Sequence, residues 1–221
     1  VGQGMADGEM PGAVVIVLHQ SDVIHRQVYG DAAVEPERRE MQFDAIFDLA
    51  SLTKPIATAT SVMILVDDGL INLGAPVSQY LPEFTGDGKE AITVTQLLTH
   101  TGGLIADNHL RDYADGPEAA WESICNLQLS AAPGEEFIYS DMSFVVLGKL
   151  VERVTGRPLD EFAIERIFTP LQIHDTAYCI SERLSDEVRR QRCVPTEQRD
   201  GEWMLGQVHD PRSFALGGVA G

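Results

Sequence analysis

Two runs of strand-forming residues open the hydrophobic pattern of the chain. The segments 11–20 and 23–30 are rich in β-branched and apolar residues, and a polar Ser-Asp pair separates them. Such residues fit the pleated surface of a sheet, and a short polar break between two of these runs is typical of a hairpin. We therefore predict an antiparallel hairpin, then a polar connection at 31–40 and an extended segment at 43–50.

The pattern changes to a helical period at Ser51. Apolar residues recur at three- and four-residue spacing, which places Ile56, Met63 and Ile64 on the expected apolar face, and Gly69 marks the end of the helix. Pro55 suits a first helical turn but disfavours the helical conformation for the residue before it. We therefore predict a helix that starts close to Ser51.

Four more segments have a helical pattern, and the chain beyond Ile173 is irregular and strand-like. The helical segments are 93–100, 118–128, 142–156 and 158–171. Early strands, a helical middle and a return to strand predict an α+β fold. We expect three regions along it: N-terminal strands at 1–50, a mainly helical region at 51–172, and an incomplete return toward the sheet at 173–221.

Composition and charge exclude some classes of partner. The chain has 221 residues and a formal net charge of −18, which would repel nucleic acids and anionic lipid surfaces. No apolar run is long enough for stable membrane insertion, and the first residues lack the pattern of a signal peptide. The sequence leaves localisation open, with the cell envelope or the periplasm as one alternative, and it leaves the oligomeric state unknown.

The cysteines and histidines show no metal-binding pattern. Cys125, Cys179 and Cys193 form no CxxC pair and no zinc-like cluster with histidine, so at most one disulfide is expected. We interpret His100, in a loop between a helix and two glycines, as a hydrogen-bonded structural residue. The remaining histidines are interpreted as surface or structural residues, and the glycines at 217, 218 and 221 as a tight turn.

Ser51 and Lys54 are the first candidates for chemistry. A spacing of three residues places both side chains on one face of a helix. A serine hydroxyl becomes a good nucleophile when a neighbouring amine removes its proton, and the N-terminus of a helix would stabilise an oxyanion on the attacked carbonyl. The alternative is a capping serine followed by a solvated lysine, because serine is a preferred N-cap residue.

Tyr139-Ser140-Asp141 is the second candidate, directly before a predicted helix. A phenol close to a lysine ammonium can act as a general acid or base, and Asp141 could orient the lysine or a substrate amide. The alternative is again structural, with Ser140 or Asp141 as a helix cap and Tyr139 as a packed aromatic residue.

Taken together and in order, these segments resemble the serine β-lactamase and penicillin-binding-protein superfamily, in the branch with class C β-lactamases, D-alanyl-D-alanine carboxypeptidases and related esterases. The resemblance extends from about Pro11 to Leu171. It is carried by "LASLTKPIATATSVMILVDDGLINLGAPVSQYLPEF", "ITVTQLLTHTGGL" and "PGEEFIYSDMSFVVLGKLVERVTGRPLDEFAIERIFTPL".

The resemblance implies a role for each candidate residue. Ser51 would be the nucleophile, Lys54 would help to deprotonate it, and Tyr139 would pass the proton to the leaving group and activate the deacylating water. Asp141 would contact the substrate. The resemblance also implies helices around an antiparallel sheet, a small-molecule or short-peptide substrate, and no metal or organic cofactor.

The sequence departs from the family pattern at three places. Asp141 stands where members usually have Asn, and its carboxylate would stabilise protonated Lys54 and weaken it as a base. "HTGGL" replaces the commoner "HTSGL". The third motif, Lys or His followed by any residue and Gly, is absent up to Gly221, so we expect the chain to be a fragment or a truncated form.

Two functions remain open on the sequence alone. The first is an acyl-serine hydrolase that cleaves β-lactam, D-amino-acid peptide or ester bonds, which the sequence does not separate. The second is a non-catalytic penicillin-binding or sensor module with the same fold, which Asp141 and the absent third motif favour.

Overall fold

The protein, described here by a computed structural model of residues 1–217, combines helices with antiparallel strands. The α-helices are α1 (Gly2–Ala6), α2 (Thr60–Asp67), α3 (Val94–Leu98), α4 (Pro117–Cys125), α5 (Asp141–Thr155), α6 (Leu159–Ala163), α7 (Ile180–Arg183), α8 (Asp186–Arg192) and α9 (Pro211–Ala215). The strands are β1 (Gly12–His19), β2 (Asp22–Ala33), β3 (Arg39–Glu40), β4 (Gln198–Arg199) and β5 (Glu202–Trp203). This mixture confirms the predicted α+β class.

Other helical turns are interspersed among these elements. The 3-10 turns are Ala50–Leu52, Val77–Gln79, Lys89–Ala91 and Leu110–Tyr113, and the π-helical turns are Lys54–Ala59 and Ile164–Phe168. The chain folds into two compact units, of which the first comprises Val1–Asp48 and Cys179–His209. The second comprises Leu49–Tyr178 and the residues from Asp210 onward. Within the described residues, no helix reaches the length and apolar character that crossing a bilayer requires.

The hairpin of the first unit is the one predicted from the sequence. Strands β1 and β2 pair antiparallel, with an irregularity in register between Val17 and Leu18, and β3 adds to the far edge of β2. Gln20 and Ser21 form the turn, and both have positive φ angles, which is the backbone of the turn type that matches strand twist. The extended segment that follows pairs through Ile46 with Cys193.

The expectation of strand-like structure beyond Ile173 is wrong for most of that segment. It contains the helices α7 and α8, and its strands β4 and β5 have two residues each. Helix α8 forms because Ser185 caps it by accepting a hydrogen bond from the Val188 N–H, with acidic residues in its first turn and arginines in its last. Gly217 has a positive φ of 73°, whereas Gly218 and Gly221 lie outside the described residues.

The core of the second unit surrounds α5. Its predicted limits are confirmed: Ser140 caps the N-terminus by accepting from the Ser143 N–H, and Gly156 ends the helix in the left-handed conformation. Helices α2, α3 and α6 pack against α5. The largest fully buried apolar side chains of this core are Leu65, Leu81, Phe84, Ile92, Leu97, Leu104, Ile124, Met142, Leu147 and Leu150.

The helix after Ser51 confirms only part of the predicted apolar face, of which Ile64 packs against the core. Ile56 and Met63, expected to be internal, are 37% and 46% exposed. The residues that share a face with Lys54 are buried instead, and they include the small polar residues Thr58 and Ser61. Because this face carries a lysine and two hydroxyls, hydropathy alone does not identify it as the internal one.

Candidate active site

Ser51 lies at the point where the extended chain turns into the helical run. It belongs to the 3-10 turn Ala50–Leu52 and is exposed. Ala50, directly before it, has a φ of 45°, a left-handed conformation that costs a residue with a Cβ about 1 to 2 kcal/mol. Strained backbone of this kind is found at functional sites when the surrounding structure holds it in place.

Lys54 connects Ser51 to the tyrosine segment. Its Nζ lies 3.0 Å from the Ser51 Oγ and 2.7 Å from the Asp141 Oδ1, while the lysine itself is 2% exposed. Ser51 lies in the 3-10 turn, and a π-helical turn begins at Lys54 shortly after it. In a regular α-helix the ring of Pro55 would collide with the Ser51 carbonyl, and the wider turn relieves that collision.

Tyr139 presents its ring to the lysine from an extended segment that leads into α5. The Lys54 Nζ lies 5.2 Å from the centre of the Tyr139 ring and 6.0 Å from that of Phe144. An ammonium over an aromatic face is attracted by the ring quadrupole. Tyr139 is 48% exposed and lines the same cleft as Ser51.

His100 packs against the same aromatic residues. Its ring centre is 4.5 Å from that of Tyr139 and 5.1 Å from that of Phe144, and its Nδ1 accepts a 3.0 Å hydrogen bond from the Ser140 N–H. Burial lowers the pKa of His100, and the Lys54 ammonium lowers this pKa further, while the Asp141 carboxylate opposes them. The hydrogen-bonded role expected of His100 agrees with this geometry.

These side chains line one cleft of about 610 Å³. Ser51, Lys54, Tyr139 and His100 supply its polar groups, and its walls are otherwise mostly apolar. The apolar contribution comes from Leu49, Ala50, Leu52, Pro55, Ala59, Leu98 and Phe144. A concave apolar surface with a few convergent polar groups is typical of a small-molecule site.

A second carboxylate, which no sequence pattern indicated, lies close to the Asp141 side of the site. Desolvation raises the pKa of Asp107, and the neighbouring charge of Asp141 raises this pKa further. Arg212, which donates from Nε to the Asn108 carbonyl at 2.8 Å, lowers the pKa of Asp107. These groups come from chain segments far from the two motifs, so only the fold places them together.

The structure brings all four predicted site residues together within the second unit. Ser51, Lys54 and Asp141 form a continuous polar chain, and Tyr139 faces it through its ring. Among the other histidines, His209 is paired in the first unit with Asp48, at 2.8 Å from Nδ1 to Oδ2. Across residues 1–217, no group of three or more His, Cys, Asp or Glu side chains is arranged to hold a metal ion.

This fold and site define a recognised class of protein. The chain belongs to the beta-lactamase family, whose family model matches residues 1–220. It is 29% identical to a putative D-alanyl-D-alanine carboxypeptidase of Escherichia coli K12, over 96% of this chain and 56% of that protein. It is 34% identical to esterase EstB of Burkholderia gladioli, over 90% of this chain and 55% of the esterase.

Solved structures show the same fold. The octameric penicillin-binding protein homologue from Pyrococcus abyssi matches with a TM-score of 0.73 and 25% identity, over 92% of this chain and 48% of that one. EstCE1, a hydrolase with promiscuous acyltransferase activity, matches with a TM-score of 0.74 and 23% identity, over 99% of this chain and 66% of that one. The chain spans about half the length of the curated relatives it matches.

Proposed function

We propose that this chain carries the acylation centre of a serine hydrolase that cleaves β-lactam, D-amino-acid peptide or ester bonds through an acyl-enzyme on Ser51. The observation that carries the proposal is the 3.0 Å distance between the Lys54 Nζ and the Ser51 Oγ. A nucleophile with an amine in hydrogen-bond contact is the arrangement that activates a serine hydroxyl. The family membership supports the same chemistry.

Acylation begins when neutral Lys54 accepts the proton of the Ser51 hydroxyl. The Oγ then attacks the carbonyl carbon, and the bond between that carbon and the leaving nitrogen or oxygen breaks. The proton passes by way of Tyr139 to the leaving group, so Lys54 and Tyr139 return to their starting states. The Ser51 N–H lies in a first helical turn, where N–H groups lack a partner within the helix, and it would stabilise the oxyanion.

Deacylation repeats the sequence with water as the nucleophile. Tyr139 takes a proton from the water while its own phenol proton passes to neutral Lys54, the water oxygen attacks the ester carbonyl, and the bond to the Ser51 Oγ breaks as the Oγ takes the proton back from Lys54. An acid is released. The position of Tyr139 at the cleft, where the residue is 48% exposed, suits this step.

The substrate proposed is a small molecule or short peptide with an activated or strained acyl bond. The cleft of about 610 Å³ accommodates a ligand of that size. The named relatives include a putative carboxypeptidase, an N-acetylmuramyl-L-alanine amidase and an esterase, so amide and ester bonds are both represented among them.

One observation favours a second candidate, a penicillin-binding or sensor module without turnover. The Asp141 Oδ1 lies 2.7 Å from the Lys54 Nζ, and an ion pair at that distance stabilises the protonated amine. A protonated lysine does not accept the serine proton. Such a module would be acylated slowly and would remain acylated.

Intact-protein mass spectrometry of the full-length protein tests the proposal. We expect a fluorophosphonate and a penicillin each to add one adduct, located on Ser51. Ser51→Ala should remove both adducts, whereas Ser61→Ala, a change to a buried serine of the same helical run, should leave them unchanged. Absence of both adducts from the wild type would refute the acyl-serine chemistry.

Turnover separates the two candidates. A hydrolase clears its adduct and hydrolyses a nitrophenyl ester or a chromogenic cephalosporin repeatedly. A sensor releases one equivalent of product and stops. The time course beyond the first equivalent therefore decides between them.

A further inference from the structure

His100 holds both ends of the segment that carries Tyr139. Its backbone carbonyl accepts a 2.9 Å hydrogen bond from the Ile138 N–H, and its Nδ1 accepts a 3.0 Å bond from the Ser140 N–H. Tyr139 lies between these two donors, and its ring packs on the imidazole at 4.5 Å. One residue therefore fixes the backbone on either side of the tyrosine and supports its ring.

The backbone of His100 is shaped for this contact. Its φ is 57°, in the left-handed region that few residues other than glycine, asparagine, aspartate and histidine adopt readily. This conformation allows the carbonyl and the side chain of one residue to face the same neighbouring segment. The next residue, Thr101, adds a further backbone hydrogen bond: its carbonyl accepts from the Gly134 N–H at 2.7 Å.

The contact also fixes the protonation state of the imidazole. A backbone N–H has only a proton to offer, so the Nδ1 that accepts it carries a lone pair, and a neutral ring then carries its hydrogen on Nε2. The charged or titratable groups that face the ring are Lys54 from the helical run, Tyr139 from the extended segment and Asp141 from α5. Burial and the lysine ammonium lower the pKa of His100, while Asp141 and the backbone hydrogen bond at Ser140 raise it.

We propose that His100 is a positioning residue for Tyr139, acting as the neutral Nε2–H tautomer that accepts the Ser140 N–H. The inference rests on the proposed function, in which Tyr139 delivers the proton to the leaving group. His100 does not itself exchange a proton with the substrate. It holds the phenol where the leaving group departs.

A pair of esters distinguishes positioning from general structural support. A nitrophenolate departs without a proton, whereas an alkoxide needs one, so an ethyl ester and a nitrophenyl ester of the same acid differ in their need for Tyr139. The value of kcat/KM reports the steps up to acylation. A variant that merely lowers the folded fraction would reduce kcat/KM for both esters equally.

Two substitutions separate the functions of the side chain in the full-length protein. His100→Asn keeps an acceptor near the Nδ1 position and tolerates the positive φ, whereas His100→Phe keeps a ring and removes the acceptor. We expect His100→Phe to lower kcat/KM for the ethyl ester by about 100-fold and for the nitrophenyl ester far less, because misplacement of a catalytic group by an ångström has an effect of this size. His100→Asn should retain most of the wild-type kcat/KM for the ethyl ester.

Combination with Tyr139→Phe completes the test. Once the phenol is absent, His100→Phe should change the ratio of the two esters no further. Equal losses on both esters in His100→Phe, or a loss in His100→Asn as large as in His100→Phe, would overturn the inference.

A spectroscopic readout is independent of activity. A long-range proton–nitrogen spectrum of the imidazole should show hydrogen on Nε2 and a lone pair on Nδ1. If the wild type hydrolyses neither ester, the proposed function fails. The spectrum still tests the hydrogen bond from the Ser140 N–H to the His100 Nδ1, because it does not depend on activity. Hydrogen on Nδ1 would overturn the assignment of His100.

Discussion

The Lys54 Nζ lies closer to the Asp141 Oδ1, at 2.7 Å, than to the Ser51 Oγ, at 3.0 Å. The lysine is 2% exposed, so this pair is poorly screened by solvent. The carboxylate and the serine therefore favour opposite protonation states of the Lys54 amine. Asp141 favours the ammonium, whereas proton transfer from Ser51 requires the neutral amine.

Replacing the carboxylate by an amide should release this constraint. In Asp141→Asn an oxygen can still accept from Lys54, but the negative charge 2.7 Å from the Nζ is gone, so the carboxylate no longer competes with Ser51 for the amine. We expect acylation at neutral pH to be faster by about tenfold or more, which corresponds to about 1.4 kcal/mol. The rate of adduct formation with a penicillin, followed by mass spectrometry, measures the effect.

Asp107→Asn is the matched control for that change. It removes the same charge from a nearby carboxylate, whose pKa is raised by the charge of Asp141. We expect a much smaller effect on acylation. Slower acylation in Asp141→Asn, with the fold intact, would show that the carboxylate is required for the reaction.

The stability of the protein should depend on pH through His100. Its pKa in the folded state is below the ordinary value of 6.5 because of burial and the Lys54 ammonium. As the pH falls below about 6.5, the unfolded chain takes up this proton first, so the free energy of unfolding decreases until the pH has passed the folded pKa. The contribution is fully present above about pH 6.5.

Urea denaturation of wild type and His100→Asn on either side of this range measures the contribution. The difference in free energy of unfolding between the two proteins should become smaller at acidic pH, since the variant has no such group to protonate. The same difference at both pH values would contradict the lowered pKa of His100.

The Ser140 side chain makes two hydrogen bonds, and substitution by alanine would remove both. Its Oγ donates to the Ile105 carbonyl at 2.7 Å and accepts from the Ser143 N–H at 3.1 Å, and the residue is 1% exposed. We expect Ser140→Ala to lower the free energy of unfolding by about 2 to 3 kcal/mol, from the lost cap and the carbonyl left without its donor.

Ser185→Ala is the control for the cap alone. Ser185 is exposed and accepts only the Val188 N–H among its side-chain bonds in the described structure. Its loss should cost about 1 kcal/mol. Chemical denaturation midpoints compare the two variants, and equal effects would contradict a separate contribution from the Ile105 contact.

The two glycines after His100 should respond differently to a methyl group. At Gly103, with φ of 81°, an added Cβ would lie 2.1 Å from the Ala131 carbonyl oxygen, so Gly103→Ala should destabilise by about 3 kcal/mol or more. At Gly102 the added atom would meet the Leu97 Cδ2 at 3.0 Å, the end of a side chain that can shift.

Gly102→Ala and Gly102→Ser should therefore be tolerated with a cost of about 1 kcal/mol. This agrees with a serine at the corresponding place of the commoner loop sequence. Thermal unfolding of the three variants checks the order. A Gly103→Ala protein as stable as Gly102→Ala would contradict the close approach to Ala131.

Contacts that are local in the chain were predictable from the sequence. The hairpin followed from two strand-forming runs, and α5 followed from a capping serine and a terminal glycine. The proximity of Ser51 and Lys54 followed from the geometry of one helical turn. In each case, covalent spacing and backbone preference leave few alternatives, so the pattern of residues is enough.

The hydropathy pattern was misleading in two segments, one with mixed helix and strand preferences and one with polar residues on its internal face. Beyond Ile173 the cap at Ser185 and the charges of α8 formed a helix where strand was expected. On the helix after Ser51, the internal face also contains Lys54, Thr58 and Ser61, so counting apolar residues identified only part of that face.

The sequence by itself therefore determined the α+β class, the N-terminal hairpin, helix α5 and the proximity of Ser51 and Lys54. Only the tertiary structure decided that Asp141 holds the lysine, that His100 holds the Tyr139 segment at both ends, and that Asp107 lies close to Asp141. These contacts join residues far apart in the chain. Their distances depend on how the core around α5 packs, which no local spacing of residues specifies.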